Sequence, residues 1–164
     1  MGARSVIERV YVETSVIGAY FDDRTDVVSA AQNYWTKIWW DKLRSRYEVI
    51  ISQAVIDELS HPDYPHSQKA LKLIKNIPEV SIEDEVRQIV KIYIQNKIMP
   101  KNPLGDALHL ALASFHKCDY LLTWNCKNIA NPNKFRQIRL CNISMELYVP
   151  ALVTPNQLIG DYYD

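Results

Sequence analysis

Four polar residues, Glu13, Glu58, Asp106 and Asn125, stand where an apolar segment ends or a helix begins. Glu13 follows the strand-like run from Val6 to Val12, and Glu58 lies one helical turn beyond the run from Tyr47 to Ser52. Asp106 opens the apolar stretch Asp106-Ala107-Leu108-His109-Leu110-Ala111-Leu112-Ala113, and Asn125 follows the run from Asp119 to Thr123. In an open α/β sheet, ligands bind beyond the carboxyl ends of the strands. Three carboxylates converging there, with no Lys or Arg inside these segments to offset them, repel one another. A divalent cation is the simplest relief. The residue types therefore point to metal-assisted chemistry on phosphate esters.

The elements that must position these residues can be read from periodicity and breaks. The first strand runs from Val6 to Glu13, and a short helix carries Ser15 to Phe21. From Val27 to Leu43, the residues Val28, Ala31, Trp35, Ile38 and Trp39 keep helical spacing. A strand over Glu48–Ser52 leads into a helix over Gln53–Leu59, with Ser52 placed to cap it. Ser67–Asn76 reads as a helix, Glu79–Ile82 as a short strand, and Glu83–Ile98 as a long amphipathic helix. The break at Met99-Pro100-Lys101-Asn102-Pro103 precedes a helix from Leu104 to His116 and a strand to Thr123. Pro132 starts a helix through Phe135, Ile138 and Cys141, and Ala151-Leu152-Val153 is the last strand. Strands alternating with helices imply βαβ units and a mainly parallel sheet.

Bulk composition narrows the possibilities. The 164 residues suit one domain, and a chain of this length buries about 70% of its unfolded surface without disulfides. Hydrophobic residues at 48% and charged residues at 23% are ordinary for a soluble globular protein. Lys plus Arg total 19 and Asp plus Glu total 19, which argues against a general nucleic-acid coat protein, although local basic patches can still carry phosphate contacts. The three cysteines, Cys118, Cys126 and Cys141, form no Cys-x-x-Cys pair and read as free thiols in a reducing compartment rather than as disulfides or a zinc site with His116. No apolar run approaches membrane-spanning length, and the first residues lack a signal-peptide core, so a cytoplasmic location is expected. There is no Gly-rich phosphate loop.

The four segments, in this order and at these distances, resemble the PIN domain, a family of metal-dependent ribonucleases. The likeness covers nearly the whole chain. Val12-Glu13-Thr14-Ser15-Val16-Ile17 resembles the family's opening strand, and the segment from Ile51 to Leu59 resembles the one supplying a second acid, here Glu58. Gly105–Ala113 resembles the helix start with a third acid, Asp106; Tyr120-Leu121-Leu122-Thr123-Trp124-Asn125 resembles the strand end that often carries a fourth. The resemblance implies a three-layer α/β/α sandwich around a parallel sheet of about five strands. It implies a Mg²⁺- or Mn²⁺-dependent endoribonuclease with Glu13, Glu58, Asp106 and Asn125 as metal ligands. It also implies an RNA substrate, a homodimer and, for many prokaryotic members, an antitoxin partner, with the early helices as partner surfaces. Two positions depart from the usual pattern: Glu13 stands where most members have Asp, and Asn125 stands where many have Asp. The centre then carries three negative charges instead of four, which weakens the hold on a second ion.

Each residue also has a plainer reading. Glu13 and Asp106 could simply complement helix dipoles. Glu58 competes with Asp57, but adjacent helical residues point about 100° apart, so one alone can face a cleft. Thr14 and Ser15 either cap a helix or orient Glu13. His109 either works beside Asp106 on the same helical face, moving a proton or touching substrate, or is a partly buried surface residue. Thr123 is expected to support Asn125 by a hydrogen bond, and Asn125 either ligates or caps a loop. Lys101, Lys127, Lys134, Arg136 and Arg139 can meet RNA phosphates or form a solvated face. Two other functions fit the same acids: a PIN-like module that binds RNA or protein without cleaving, and a small α/β phosphatase.

Overall fold

The computed structural model describes residues 6–102 and 104–160. The elements are β1 (Arg9–Val12), α1 (Thr14–Tyr20), α2 (Val27–Ile38), β2 (Glu48–Ser52), α3 (Gln53–Leu59), α4 (Ser67–Leu73), β3 (Glu79–Val80), α5 (Asp84–Gln95), α6 (Leu104–Phe115), β4 (Tyr120–Leu122), α7 (Pro132–Ser144) and β5 (Ala151–Val153). The five strands form one sheet in the order β3-β2-β1-β4-β5, and every neighbouring pair is parallel. Tyr11 of the central strand registers with Ile50 on one side and Leu121 on the other.

The chain winds outward from β1 through β2 to β3, then crosses back to β4 and β5. Right-handed crossovers place α1 to α4 over one face and α5 to α7 over the other. The result is the expected three-layer α/β/α architecture. Cover on both faces explains why the strands read as apolar runs: Val10, Tyr11, Val12, Leu121 and Leu122 are fully buried. On α5, Val86, Ile89, Val90 and Tyr93 form the buried stripe that packs against α6. Between the α6, α5 and α7 helices, Tyr93 donates to Asn142 Oδ1 at 2.6 Å and Asn142 Nδ2 donates to Ser114 Oγ at 2.9 Å, so the buried polar groups satisfy one another.

Several boundaries differ from the sequence expectations. Residues 6 and 7 precede the sheet, and Val6 and Ile7 are exposed, so β1 begins at Arg9. The helix expected to Leu43 leaves α-geometry after Ile38, widening into a π-turn over Trp39–Leu43 and tightening into a 3₁₀ turn over Arg44–Arg46. Trp39, Trp40 and Leu43 of this widened turn all enter the core. The α5 helix stops at Gln95 because Lys97 adopts a left-handed φ of 57° and Ile98 N–H turns back to the Tyr93 carbonyl at 2.9 Å. Cys118 and Cys141 are buried, Cys126 is exposed, and all three are free thiols. Among the described residues, no helix is long and apolar enough to cross a membrane.

Candidate metal centre

The strand order reverses at β1 and β4, and the helices leaving these two strands diverge to opposite faces. A crevice at such a switch point is where open α/β sheets bind ligands. Glu13 stands at its floor. Its N–H donates to the Leu122 carbonyl at 3.0 Å, the last rung of the β1–β4 ladder. It is also the N-cap of α1, and its Oε2 accepts from Ser15 N–H at 3.1 Å. Two hydroxyls, Ser15 Oγ at 2.5 Å and Thr123 Oγ1 at 2.6 Å, donate to the other oxygen, Oε1. Each of those hydroxyls in turn accepts a backbone N–H, from Trp124 at 2.8 Å and from Asn125 at 2.9 Å. The β4 loop is thereby fastened to the Glu13 carboxylate.

Glu58 approaches from α3. Its Oε1 accepts from His109 Nε2 at 2.6 Å. His109 lies on the sheet side of α6 and is almost fully buried. Its other nitrogen, Nδ1, meets the Tyr11 hydroxyl at 2.7 Å, and that hydroxyl is 2.7 Å from Ser52 Oγ. Burial acts to lower the His109 pKa, but the Glu58 hydrogen bond and the charges of Glu13, Glu58 and Asp106 outweigh it and raise the pKa above its ordinary value. As an imidazolium, His109 donates from both nitrogens, to Glu58 and to Tyr11, and the Tyr11 hydroxyl donates onward to Ser52. Gly105 makes room for this pair: a Cβ there would lie 3.1 Å from Glu58 Oε1.

Asp106, one turn before His109, is held differently. Asn125 Nδ2 donates to its Oδ1 at 2.9 Å and Asn128 Nδ2 donates to its Oδ2 at 2.7 Å. Asn128 N–H closes the loop on Asn125 Oδ1 at 3.0 Å. Lys134 of α7 stands near enough for the Asp106 charge to act on it; burial lowers the lysine pKa and Asp106 opposes that.

The four expected ligands thus fall into two adjoining groups. Glu13 and Glu58 are brought together with His109, each offering one ligand atom, and these atoms lie within 4.8 Å of one another. Asp106 and Asn125 form a carboxylate–amide cluster joined to the first group through Thr123 and through α6. The first group fits a divalent cation: bonds of about 2.1 Å place opposite ligand atoms roughly 4.2 Å apart, so a small contraction closes the site. Two carboxylates and an imidazole suit Mn²⁺ at least as well as Mg²⁺.

Three expectations about supporting residues change. Ser52 occupies the N-cap of α3 but makes no side-chain cap bond, because its hydroxyl is drawn to Tyr11. Thr14 does not cap α1; it is buried, and its hydroxyl finds no hydrogen-bond partner among the described residues, whereas Ser15 does orient Glu13. His109 bonds Glu58 and Tyr11 rather than Asp106. Thr123 supports Asn125 as expected, by accepting its N–H. Lys101 and Lys127 are exposed, and among the described residues neither forms a hydrogen bond or ion pair with the centre. Tyr11, Asn128 and Gly105 were not singled out by sequence. The Asn125-x-x-Asn128 spacing, which closes an Asx-type turn, is the signal that could have found Asn128.

Comparison of the chain with protein-family models, with curated proteins and with solved structures finds no match.

Proposed function

We propose that this chain is a metal-dependent endoribonuclease of the PIN kind, acting as the toxin of a toxin–antitoxin pair in the cytoplasm. The observation that carries this reading is the meeting of the Glu13 and Glu58 carboxylates with His109, beside Asp106, at the switch point of a parallel sheet. A set of acids this dense, in a crevice open to solvent, suits a bound cation better than a purely structural role. The strand order and the PIN-like order of Glu13, Glu58, Asp106 and Asn125 along the chain support it further.

Mg²⁺ or Mn²⁺, when bound, would supply Lewis-acid activation of water and of the phosphoryl oxygen. Glu13, Glu58 and His109 would hold it, His109 ligating through Nε2 once that nitrogen has given up its proton and its bond to Glu58. Ser15 and Thr123 fix the Glu13 carboxylate by donating two hydroxyls to Oε1, while Oε2, which accepts only the Ser15 N–H, keeps a lone pair for an ion. Tyr11 fixes the plane of the His109 ring, as partners of metal-binding imidazoles commonly do. Asp106, gripped by Asn125 and Asn128, would take up a proton from water or help to hold a second ion. Lys134, near enough to feel the Asp106 charge, would meet an RNA phosphate there. Val27, Val28 and Tyr34 expose apolar surface on α2, the region that the resemblance gives to the antitoxin and to a second copy.

The test is incubation of the purified protein with structured and single-stranded RNAs in Mn²⁺, Mg²⁺ or EDTA, beside Glu13→Gln and Asp106→Asn. Metal-dependent cleavage that disappears in both variants is expected. A folded, metal-loaded protein that leaves total cellular RNA intact would refute the nuclease. One observation favours the second reading, a PIN-like module that binds without cutting: the Asn125 amide already occupies an Asp106 oxygen that a ligand would need. Calorimetric titration with Mn²⁺ separates the two, because a pure scaffold need not take up the ion.

A further inference from the structure

Next to the acidic centre lies a cavity of about 580 Å³. Ser15, Gly18, Gln32, Tyr64, Trp124 and Asn125 line it. Ser15 and Asn125 also belong to the centre, so the cavity opens directly onto the place where a phosphate would sit. Its size falls within the range that encloses a small organic molecule.

Two aromatic side chains are held in its wall by independent anchors. Trp124 donates its indole N–H to Thr36 Oγ1 at 2.8 Å, and its backbone N–H goes to Ser15. Tyr64 rests its hydroxyl on the bare Cα of Gly18: a Cβ there would lie 2.3 Å from the phenolic oxygen, so only glycine leaves it room. Burial, together with the charges of Glu13, Glu58 and Asp22, pushes the Tyr64 pKa up to about 12, so the ring stays neutral and keeps its donor.

The rim offers no free guanidinium to an anion. Arg24 donates Nε and Nη2 to the Asp22 carboxylate at 3.0 and 2.7 Å, and His66 Nε2 lies 3.7 Å from Asp23. The Arg24 guanidinium is therefore already matched by an acid, and Asp23 adds a further carboxylate to the rim. Such a cavity does not attract a phosphate. It suits a neutral, flat ring with hydrogen-bonding edges: apolar faces meet the aromatic side chains and an edge meets the Gln32 amide. Nucleobases have this chemistry, and unstacked bases are commonly read against aromatic side chains.

We propose that this cavity seats one unpaired nucleobase of the nucleotide whose phosphate lies at the acidic centre, with Tyr64 and Trp124 contacting its faces and Gln32 its edge. The proposal rests on the nuclease reading for the phosphate but not for the base. It makes the centre selective for single-stranded or looped RNA, because a base within a helical stack cannot enter. It also gives the chain a preference among bases at one position beside the cut.

The experiment uses the full chain in EDTA and uncharged nucleosides, which the nearby carboxylates do not repel. The indole N–H resonances are followed by two-dimensional NMR, with Trp124 assigned through Trp124→Phe. Addition of the preferred nucleoside is expected to shift the Trp124 signal, and Tyr64→Ala is expected to weaken that binding roughly tenfold while leaving Mn²⁺ affinity unchanged. Gln32→Leu, at a half-buried position of the lining, serves as a second variant and is expected to change which base is preferred. If Tyr64→Ala fails to fold, Gln32→Leu still decides. If nucleosides bind and RNA is not cut, the cavity assignment stands and the nuclease falls. If RNA is cut but no nucleoside shifts Trp124 and Gln32→Leu leaves the cut-site preference unchanged, the cavity assignment falls and the nuclease stands. A shift caused by N-acetyltryptophanamide alone, with none from nucleosides, would assign the cavity to a side chain of a protein partner and likewise overturn the proposal.

Discussion

Thr123→Val exchanges a hydroxyl for a methyl group at a position with no solvent exposure. That hydroxyl donates to Glu13 Oε1 at 2.6 Å and accepts the Asn125 N–H at 2.9 Å. A hydrogen bond to a charged group contributes about 1.5–3 kcal/mol, and a stranded N–H costs about 1–3 kcal/mol when it stays dry. Two features pull the total down. Ser15 still donates to the same Glu13 oxygen, and Asn125 is half-buried, so water can reach its N–H. The expected loss is therefore about 2 kcal/mol, a sizeable share of the stability of a small protein. Urea denaturation of the metal-free protein, followed by circular dichroism, should show a lower midpoint with an unchanged slope. Thr123→Ser, which keeps the hydroxyl, should recover most of the loss. Because the Glu13 carboxylate loses part of its orientation, Mn²⁺ affinity should fall by roughly tenfold in Thr123→Val. A change below about 0.5 kcal/mol, or a Ser variant as damaged as the Val variant, would show that the hydroxyl does not fasten the β4 loop to Glu13.

Other expectations concern the same crevice. The folded-state pKa of His109 is raised, so its ion pair with Glu58 contributes fully below the unfolded value of about 6.5 and is lost as pH rises through the folded value. Metal-free stability, measured by urea denaturation in EDTA, should therefore decline above about pH 6.5 in the native chain, and that component should be missing in His109→Gln. Gly105→Ala should keep or slightly raise stability, since alanine is favoured in a helix by about 0.5–1 kcal/mol. The same variant should weaken Mn²⁺ binding in calorimetry, because the new methyl crowds Glu58 Oε1 at 3.1 Å; equal affinity would mean Glu58 is not a ligand. Asn128→Ala removes one of the two amides holding Asp106 and should cost about 1–2 kcal/mol in thermal or urea unfolding. An unaffected protein would place Asp106 under the control of Asn125 alone.

Much of the frame could be read from sequence because its physical signals are local. The strands are covered on both faces, so β2 and β5 stand out as apolar runs with the observed ends, Glu48–Ser52 and Ala151–Val153. Glu13, Glu58 and Asp106 stand out because acids are costly beside such runs unless they serve a crevice. What escaped is long-range pairing. Nothing local indicates that Tyr11, one of several aromatic residues, points toward α6 and takes Ser52 away from its cap. Nothing local shows that Asp106 spends both oxygens on amides 19 and 22 residues further along the chain. The π-turn at Trp39 is equally silent in the periodicity, because helical spacing continues up to it and the departure is enforced by the core that receives Trp39 and Trp40.

The clasp between Thr123 and Glu13 spans 110 residues of chain. Glu13 therefore lies far along the chain from the β4 residue that orients its carboxylate. Glu58 likewise meets His109 across 51 residues. Contacts this distant close late, after the loop entropy between them has been overcome. The β1–β2 pair can form from residues 9–52, but the crevice cannot, and a chain cut before Thr123 contains the acids without the geometry. For a protein proposed to cut RNA, this order of assembly leaves the acids without their geometry until β4 has docked beside β1.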